Sequence, residues 1–224
     1  MFHVKQFIFF IFFVSFLSNS KGQGTKQAIF EVKELPNWPI KDSVILKPLL
    51  KNPLINGDPQ VLDMFYWTNY SRKYPKIFWS KIVEPFLNIY PQFRTTFATS
   101  LKNDLFNLNN ALPLLEPDSL LFCISKKHAK DLQENWPTIS HNSSKGKTFT
   151  ERLEEVGFFD CAGENISVGN TEVVLQLIFL YIDEGLSNLG HRKALLNQRF
   201  KRMGVSKEEA GDSVILFVQD FSCN

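Results

Sequence analysis

The feature that most constrains the fold is an apolar run near the end of the chain, at residues 213–221. Its side chains alternate with period two, which predicts a strand, and both of its faces are apolar. The two faces are Val214, Leu216 and Val218 on one side and Ile215 and Phe217 on the other. A strand of this kind must be covered on both faces. We therefore expect a sheet between two packed layers, with a hairpin that joins this strand to residues 204–206 through a polar loop at 207–212.

Helical signals fill much of the remaining chain. Asp58 followed by Pro59 is a helix start, and so are Asp118 and the capping-box pattern from Thr148 to Glu151. Helices early and in the middle of the chain, with a hairpin late, predict an α+β domain built in layers. The predicted helices cover residues 59–74, 76–87, 97–108, 119–135, 148–156, 192–200 and an apolar one at 173–184, capped by Asn170 or Thr171.

The charge balance excludes one large class of partners. The 224 residues include 25 basic and 23 acidic side chains, a formal net charge of +2. A nucleic-acid binder would need a surplus of Lys and Arg to displace counterions from phosphates. With 44% hydrophobic residues the chain can bury a core and is not disordered by composition. We therefore expect no nucleic-acid partner.

The first 22 residues have the layout of a secretory signal peptide. A weakly basic start with His3 and Lys5 precedes the apolar run from Phe7 to Leu17, and polar residues follow at 18–22. A membrane anchor is the alternative, but the run has about half of the roughly 20 apolar residues that a span needs. We expect cleavage after Ser20 or Gly22 and a secreted protein, extracellular or periplasmic, with no membrane span. Removing residues 1–22 would bring the net charge to zero.

Two further predictions concern the lead-in and the cysteines. Residues 23–59 carry five prolines, which favours an extended segment with little regular structure on the domain surface. Export permits disulfides. Cys161 and Cys223 flank predicted strand ends and are expected to pair, whereas Cys123 lies in a helical pattern and is expected to be a small buried residue.

Three polar residues stand out as candidates for chemistry. His141 and His191 lie in loops, and Glu164 lies in Gly163-Glu164-Asn165-Ile166, a segment otherwise composed like a buried strand. A carboxylate in that setting needs a partner because its desolvation is costly. His128 shares a helix face with Leu121, Ile124 and Leu132, so it is expected to be a satisfied core histidine instead of a ligand.

These residues form an ordered set that resembles a known family. The set is His128 followed by Ala129-Lys130-Asp131-Leu132, then Ser140-His141, Gly163-Glu164-Asn165-Ile166, Gly190-His191-Arg192 and Val218-Gln219-Asp220-Phe221. It is similar to the CAP superfamily, whose SCP domain occurs in cysteine-rich secretory proteins, antigen 5 proteins, plant pathogenesis-related proteins and bacterial exported proteins. The resemblance implies an α–β–α sandwich with a small antiparallel or mixed sheet between helical layers. It also implies a division of the mature chain into a helical N-terminal extension at 60–119 and a core domain at 120–222.

The resemblance further implies a cleft tetrad of two histidines and two acids that holds a divalent metal. Residue by residue these are His141, His191, Glu164 and a second acid at the end of the apolar helix, either Asp183 or Glu184. Glu184 continues the apolar stripe of that helix and is favoured, while Asp183 continues the polar stripe. Two imidazoles would leave coordination positions open, so zinc or a similar cation would bind weakly. A hydrogen-bonded polar cluster with no metal is the alternative.

Two functions follow from this set. The first is a monomeric binding or interaction module for an extracellular ligand such as a lipid, glycan or peptide. The second is a metal-assisted hydrolase with Glu164 as general base. Neither a His-Glu-x-x-His nor a Gly-x-Ser-x-Gly motif occurs in the sequence. The residues therefore favour a binding module over an enzyme.

Overall fold

A four-stranded sheet separates the helices of this protein into two layers. The computed structural model describes residues 8–12, 28–32, 34–157, 161–169, 172–211 and 214–223, with backbone alone for 8–12 and 28–31. The strand order is β3 (Glu116–Pro117), β5 (Arg202–Ala210), β6 (Val214–Ser222) and β4 (Ala162–Gly169). β3 runs parallel to β5, and the other pairs are antiparallel, so the sheet is mixed.

The helices lie on both faces of this sheet. α6 packs on β5 and β6 from one side, whereas α2 lies against β5, and α8 and α9 against β4, on the other. The predicted α+β class and α–β–α sandwich are confirmed. The helices are α1 (Ser43–Leu50), α2 (Pro59–Lys73), α3 (Pro75–Phe78), α4 (Glu84–Ile89), α5 (Thr96–Asn107), α6 (Ser119–Glu134), α7 (Phe149–Glu154), α8 (Val173–Ile182) and α9 (Gly190–Leu195). A π-helical turn, Trp79–Val83, joins α3 to α4, and a 3₁₀ turn, Pro91–Phe93, precedes α5.

The central strand β6 is covered on both faces, as its sequence predicts. All nine of its residues are buried. Phe217 and Phe221 belong to the main core beside α2 and α8, while Leu216 and Val218 pack with Ala129 of α6. Successive side chains of β6 therefore pack alternately into the core on the α2 and α8 side of the sheet and into the core on the α6 side.

Gly204 allows α6 to lie unusually close to the sheet. A Cβ atom at this position of β5 would come within 2.2 Å of the carbonyl carbon of Leu121 and 2.3 Å of the amide nitrogen of Phe122. Two residues on, the hydroxyl of Ser206 is 2.9 Å from that of Ser125. Because the α6 backbone rests directly on β5, side chains from α6 reach the neighbouring strands.

The predicted helix starts are confirmed by their caps. The carboxylate of Asp58 accepts hydrogen bonds from the first amides of α2, and that of Asp118 does the same for α6. Thr148 and Glu151 form both bonds of the capping box at the start of α7. The predicted caps of α8, Asn170 and Thr171, lie outside the described residues.

Two segments differ from prediction. The lead-in holds helix α1, because Asp42 accepts a hydrogen bond from the amide of Val44 at 2.7 Å and so caps it; the expectation of little regular structure was wrong there. The polar stretch from Lys207 is part of β5 up to Ala210, because its backbone pairs with β6 whatever its side chains are. The predicted loop at 207–212 is therefore shorter.

The cysteines follow the prediction in part. Cys161 and Cys223 form a disulfide, with their Cα atoms 5.4 Å apart, and join the start of β4 to the end of β6. Cys123 is exposed, so the prediction that it is buried was wrong. Its position on α6 lies off the stripe of Leu121, Ile124 and His128 that faces the core.

The N-terminal segment is described only in small part. β1 (Ile8–Phe12) pairs with β2 (Ala28–Val32) in a separate antiparallel ribbon. The rest of the Phe-rich segment and the expected cleavage site lie outside the described residues, so the signal peptide stays a prediction. Within the described ranges, no helix combines the length and the apolar character that crossing a membrane requires.

Candidate functional site

The first pair of candidate residues, His141 and Glu164, is in direct contact. His141 lies in the loop after α6, and its Nδ1–H donates to Oε1 of Glu164 on β4 at 2.9 Å. The carboxylate is 1% exposed and the imidazole is 56% exposed. Glu164 is thus buried and holds the imidazole of His141 in place, whereas the imidazole itself is exposed to solvent.

Arg152 of α7 completes this support. One guanidinium nitrogen forms an ion pair with Oε2 of Glu164, and another donates to the carbonyl of His141 at 2.6 Å. No motif in the sequence marks Arg152 as part of this site. The capping box locates the start of α7, but only the packed structure shows that this face of the helix meets β4.

His128 lies behind the pair, on the face of α6 that contacts the sheet. Its Nε2–H donates to the carbonyl of Ser140 at 3.0 Å, and the same nitrogen is 3.9 Å from Oε1 of Glu164. Burial lowers the pKa of His128. The predicted burial is confirmed, but Nδ1 has no hydrogen-bond partner among the described residues, so the ring is only half satisfied.

A second carboxyl group, Asp220 of β6, is the cross-strand partner of Glu164. Asp220 is fully buried, and burial together with the nearby Glu164 raises its pKa well above the usual value. Burial also acts to raise the pKa of Glu164, but the hydrogen bond from His141 and the charges of His128 and Arg152 outweigh it and lower that pKa. The two pKa values therefore move apart, which favours the charged form of Glu164 and the protonated form of Asp220. Asp220 lies in the motif Val218-Gln219-Asp220-Phe221, but its role as the partner of Glu164 depends on the pairing of β4 with β6.

The second pair joins His191 of α9 to Asp183. The Nδ1–H of His191 donates to Oδ1 of Asp183 at 2.8 Å, and the amide of Arg192 donates to Oδ2 at 3.2 Å. The side chain of Asp183 is 0% exposed and that of His191 is 21% exposed. As in the first pair, the acid is buried and the ring reaches solvent.

The structure corrects the expectation that Glu184 points inward. α8 ends at Ile182, and Asp183 takes the left-handed conformation, with φ 57°, as its C-cap. The helical register therefore does not extend to residues 183 and 184. Asp183 turns into the protein, and Glu184 is exposed.

Arg192 fixes the backbone around the second pair. Its guanidinium, 1% exposed, donates to the carbonyls of Tyr181 and Ile182 at 2.7 Å each, at the C-terminal end of α8. It also binds α5, with Asp104 Oδ2 at 3.0 Å and Ser100 Oγ at 2.7 Å. This side chain ties the end of α8 to α5 and α9.

In each pair, the imidazole of the histidine is the group that could bind a cation. A proton on Nδ1 leaves Nε2 of a neutral imidazole with its lone pair, and a carboxylate on Nδ1 is the usual outer-shell partner of a metal-bound histidine. His141 and His191 both have this arrangement. Over the described ranges, no group of three or more His, Cys, Asp or Glu side chains is placed to hold a metal ion. Each pair therefore offers a cation one imidazole nitrogen.

Two proteins from Bacillus species are similar to parts of this chain. The chain is 32% identical over 146 residues to the uncharacterized membrane protein YlbC of Bacillus subtilis (strain 168), a match that covers 60% of this chain and 39% of YlbC. An extracellular SCP-domain protein from Bacillus anthracis str. Ames matches at 29% identity and a TM-score of 0.43, over 56% of this chain and 40% of that one. The chain spans about two fifths of the length of each of these relatives.

Two further comparisons concern fold and family. An outer surface protein from Borrelia burgdorferi matches over 62% of this chain and 92% of its own, with 23% identity and a TM-score of 0.43. The sequence profile of the cysteine-rich secretory protein family, CAP, matches residues 87–221. That stretch is more than half of the chain and contains both histidine–acid pairs. The protein belongs to the cysteine-rich secretory protein (CAP) family.

Proposed function

We propose that the protein is a secreted binding module, whose binding surface is formed by His141 and His191. The observation that carries this proposal is the shared design of the two pairs. Each acid is buried and accepts Nδ1–H, while each histidine side chain is partly exposed, by 56% for His141 and 21% for His191. A site of this design presents two oriented imidazole nitrogens to a ligand, and it keeps its carboxylates out of reach.

A divalent cation is the ligand that this donor set favours. The Nε2 atoms of His141 and His191 would hold the ion, and Glu164 and Asp183 would orient the rings. A bound ion would supply open coordination positions for an oxygen-bearing extracellular ligand, such as a lipid headgroup, a glycan or a peptide. With two protein nitrogens the affinity would be weak and the ion exchangeable.

The surroundings of Glu164 favour binding over hydrolysis. A general base needs a free lone pair and a pKa near the working pH. Glu164 has one oxygen on His141 and the other on Arg152, and its pKa is lowered. The alternative of a metal-assisted hydrolase with Glu164 as its general base is therefore less well supported.

Calorimetric titration with zinc at pH 7.5 tests the proposal. We expect His141→Ala and His191→Ala each to abolish measurable binding. Asp183→Ala should weaken it by about 10- to 100-fold, the usual effect of losing an outer-shell partner. Glu184→Ala is the matched control, since this neighbouring acid is exposed and should leave binding unchanged. Equal affinity in wild type and both histidine variants, or no binding by wild type, would contradict the proposal.

A further inference from the structure

The turn between α1 and α2 contains Asn56-Gly57, the one Asn-Gly pair in the sequence. Both residues are exposed, and they lie in a run of turns at residues 53–57. The side-chain amide of an asparagine is an electrophile at Cγ, and the chain itself holds the next backbone nitrogen within reach of that atom. The turn therefore brings together the two atoms of an intramolecular substitution.

The attacking atom would be the backbone nitrogen of Gly57. Within the described ranges, its N–H donates no hydrogen bond, whereas the amides of Ile55 and Asn56 both donate to the carbonyl of Asn52, at 3.3 and 3.1 Å. Gly57 also lacks a Cβ atom, so its backbone rotates more freely than that of any other residue type. The nitrogen is thus free to turn toward Cγ of Asn56.

The side chain of Asn56 is restrained weakly. Its Nδ2 donates to the carbonyl of Leu50 at 3.3 Å, a long hydrogen bond at the exposed end of α1. Water can replace that bond because both residues are exposed. The amide carbon can therefore rotate toward Gly57 without breaking any contact of the core.

The other asparagines that we compared lack this combination. Asn69 and Asn165 are buried. Asn142 and Asn188 are exposed, but each precedes a residue with a side chain. Oδ1 of Asn188 also accepts a hydrogen bond from the amide of Gly190 at 3.2 Å, which holds that side chain in place.

We propose that Asn56 is a site of spontaneous deamidation, with water as the co-reactant. The nitrogen of Gly57 gives up its proton and bonds to Cγ, the bond from Cγ to Nδ2 breaks, and ammonia leaves with that proton. Water then opens the cyclic imide. Opening at the side-chain carbonyl gives aspartate, and opening at the main-chain carbonyl gives isoaspartate, in which the chain runs through the former side chain.

The fold accommodates the new carboxylate. Asp58 caps α2 two residues further on, where its carboxylate accepts from the amides of Gln60 and Val61 at 2.8 and 3.2 Å. A second negative charge near this helix start is favourable, because the start of a helix carries partial positive charge. The modified protein therefore stays folded and accumulates as a more acidic form while the protein ages.

Peptide mapping by mass spectrometry tests the proposal on protein incubated at pH 7.5 and 37 °C. We expect aspartate and isoaspartate at position 56, formed at a rate within about ten-fold of that in a synthetic peptide of residues 52–60, because the folded turn does not restrain the reacting atoms. Gly57→Ala should slow the reaction by about ten-fold or more, since its Cβ restricts the approach of the nitrogen.

The structure supplies matched controls for this experiment. No atom lies within 4 Å of a Cβ built on Gly57, so Gly57→Ala should fold and melt like the wild type. Asn142 is exposed and precedes a serine, so it should keep its amide in the same samples.

Three outcomes would overturn the proposal. One is an intact Asn56 in the folded protein after the peptide of residues 52–60 has converted, since the fold would then protect the pair. Another is an equal rate in wild type and Gly57→Ala. The third is aspartate without isoaspartate, which would indicate direct hydrolysis of the side chain instead of attack by Gly57.

Discussion

Glu164 and Asp183 accept the Nδ1–H of His141 and His191 at 2.9 and 2.8 Å, yet the two acids are held in place by different means. Glu164 lies on β4, at one edge of the four-stranded sheet, among the charged and titratable side chains of Arg152, His128 and Asp220. Asp183 lies at the end of α8, where its own left-handed backbone and the amide of Arg192 position it. The first pair rests on electrostatic balance and the second on backbone geometry.

This difference predicts how each pair fails. An electrostatic support responds to pH and to charge-neutralising substitutions, because its free energy depends on which groups are ionised. A backbone support responds to loss of the bonds that hold helix ends together. Substitutions chosen for each support should therefore damage one pair and spare the other.

The largest effect is expected from Arg192→Ala, which removes the support of the second pair. The substitution leaves the carbonyls of Tyr181 and Ile182 and the carboxylate of Asp104 without their donor. Breaking a buried charged network of this kind costs about 3–5 kcal/mol of unfolding free energy. Urea denaturation measures the loss, and the NMR signals of His191 should move more than those of His141.

Arg199→Ala is the control for the loss of one arginine. Arg199 is exposed, and its substitution should change stability by less than about 0.5 kcal/mol. If Arg192→Ala does not fold, Arg192→Lys keeps the charge without the planar fork and should still perturb His191 first. Equal disturbance of both pairs would show that they are not independently supported.

A pH-dependent effect is expected from Asp220→Asn, which changes the support of the first pair. The raised pKa of Asp220 means that folded protein keeps a proton which the unfolded chain releases above about 3.8. The contribution of Asp220 to the free energy of unfolding therefore falls as pH rises from there, by up to about 1.4 kcal/mol per unit, until Asp220 ionises in the folded state. Asn never ionises, so the stability of the variant relative to wild type should increase with pH.

Urea denaturation at pH 5, 6, 7 and 8 measures this difference. After burial, the charge of Glu164 is the second cause of the raised pKa of Asp220. The gain in stability from Asp220→Asn at high pH should therefore be smaller when the substitution is made in a Glu164→Gln background. Parallel pH profiles for wild type and Asp220→Asn would mean that the pKa of Asp220 is not raised in the folded protein.

The sequence predicts best those features that a few neighbouring residues determine. Asp58, Asp118 and Thr148 predict helix starts because each caps its own backbone, and β6 is recognised because both of its faces are apolar. The end of α8 is different. A non-glycine residue in the left-handed conformation has no strong sequence signal, so the helix was extended two residues too far and Glu184 was favoured over Asp183.

Residues that act across the fold are harder to predict. Arg152 meets Glu164 only because α7 packs against β4, and Asp220 faces Glu164 only through the register of β4 and β6. Family resemblance located His141, Glu164 and His191 and left the second acid open between Asp183 and Glu184, but the charges that tune Glu164 come from contacts among separate elements. The first pair is therefore the less predictable of the two, since its support is distributed over β4, β6, α6 and α7.

The smallest effect is expected from Thr148→Ala, which tests whether α7 supports only the pair of His141 and Glu164. Thr148→Ala removes the hydroxyl that accepts from the amide of Glu151, and losing such a cap costs about 1 kcal/mol. α7 carries Arg152, so fraying of its first turn should loosen the bonds to Glu164 and to the carbonyl of His141. The NMR signals of His141 should broaden or shift while those of His191 stay in place.

Thr150→Ala is the control for this prediction. Thr150 is exposed and lies two residues after Thr148, so its substitution makes the same chemical change without removing a cap. It should change neither the stability of the protein nor the NMR signals of His141. If His191 responds to Thr148→Ala as strongly as His141 does, then α7 supports both pairs, and the division between an electrostatic and a backbone support fails.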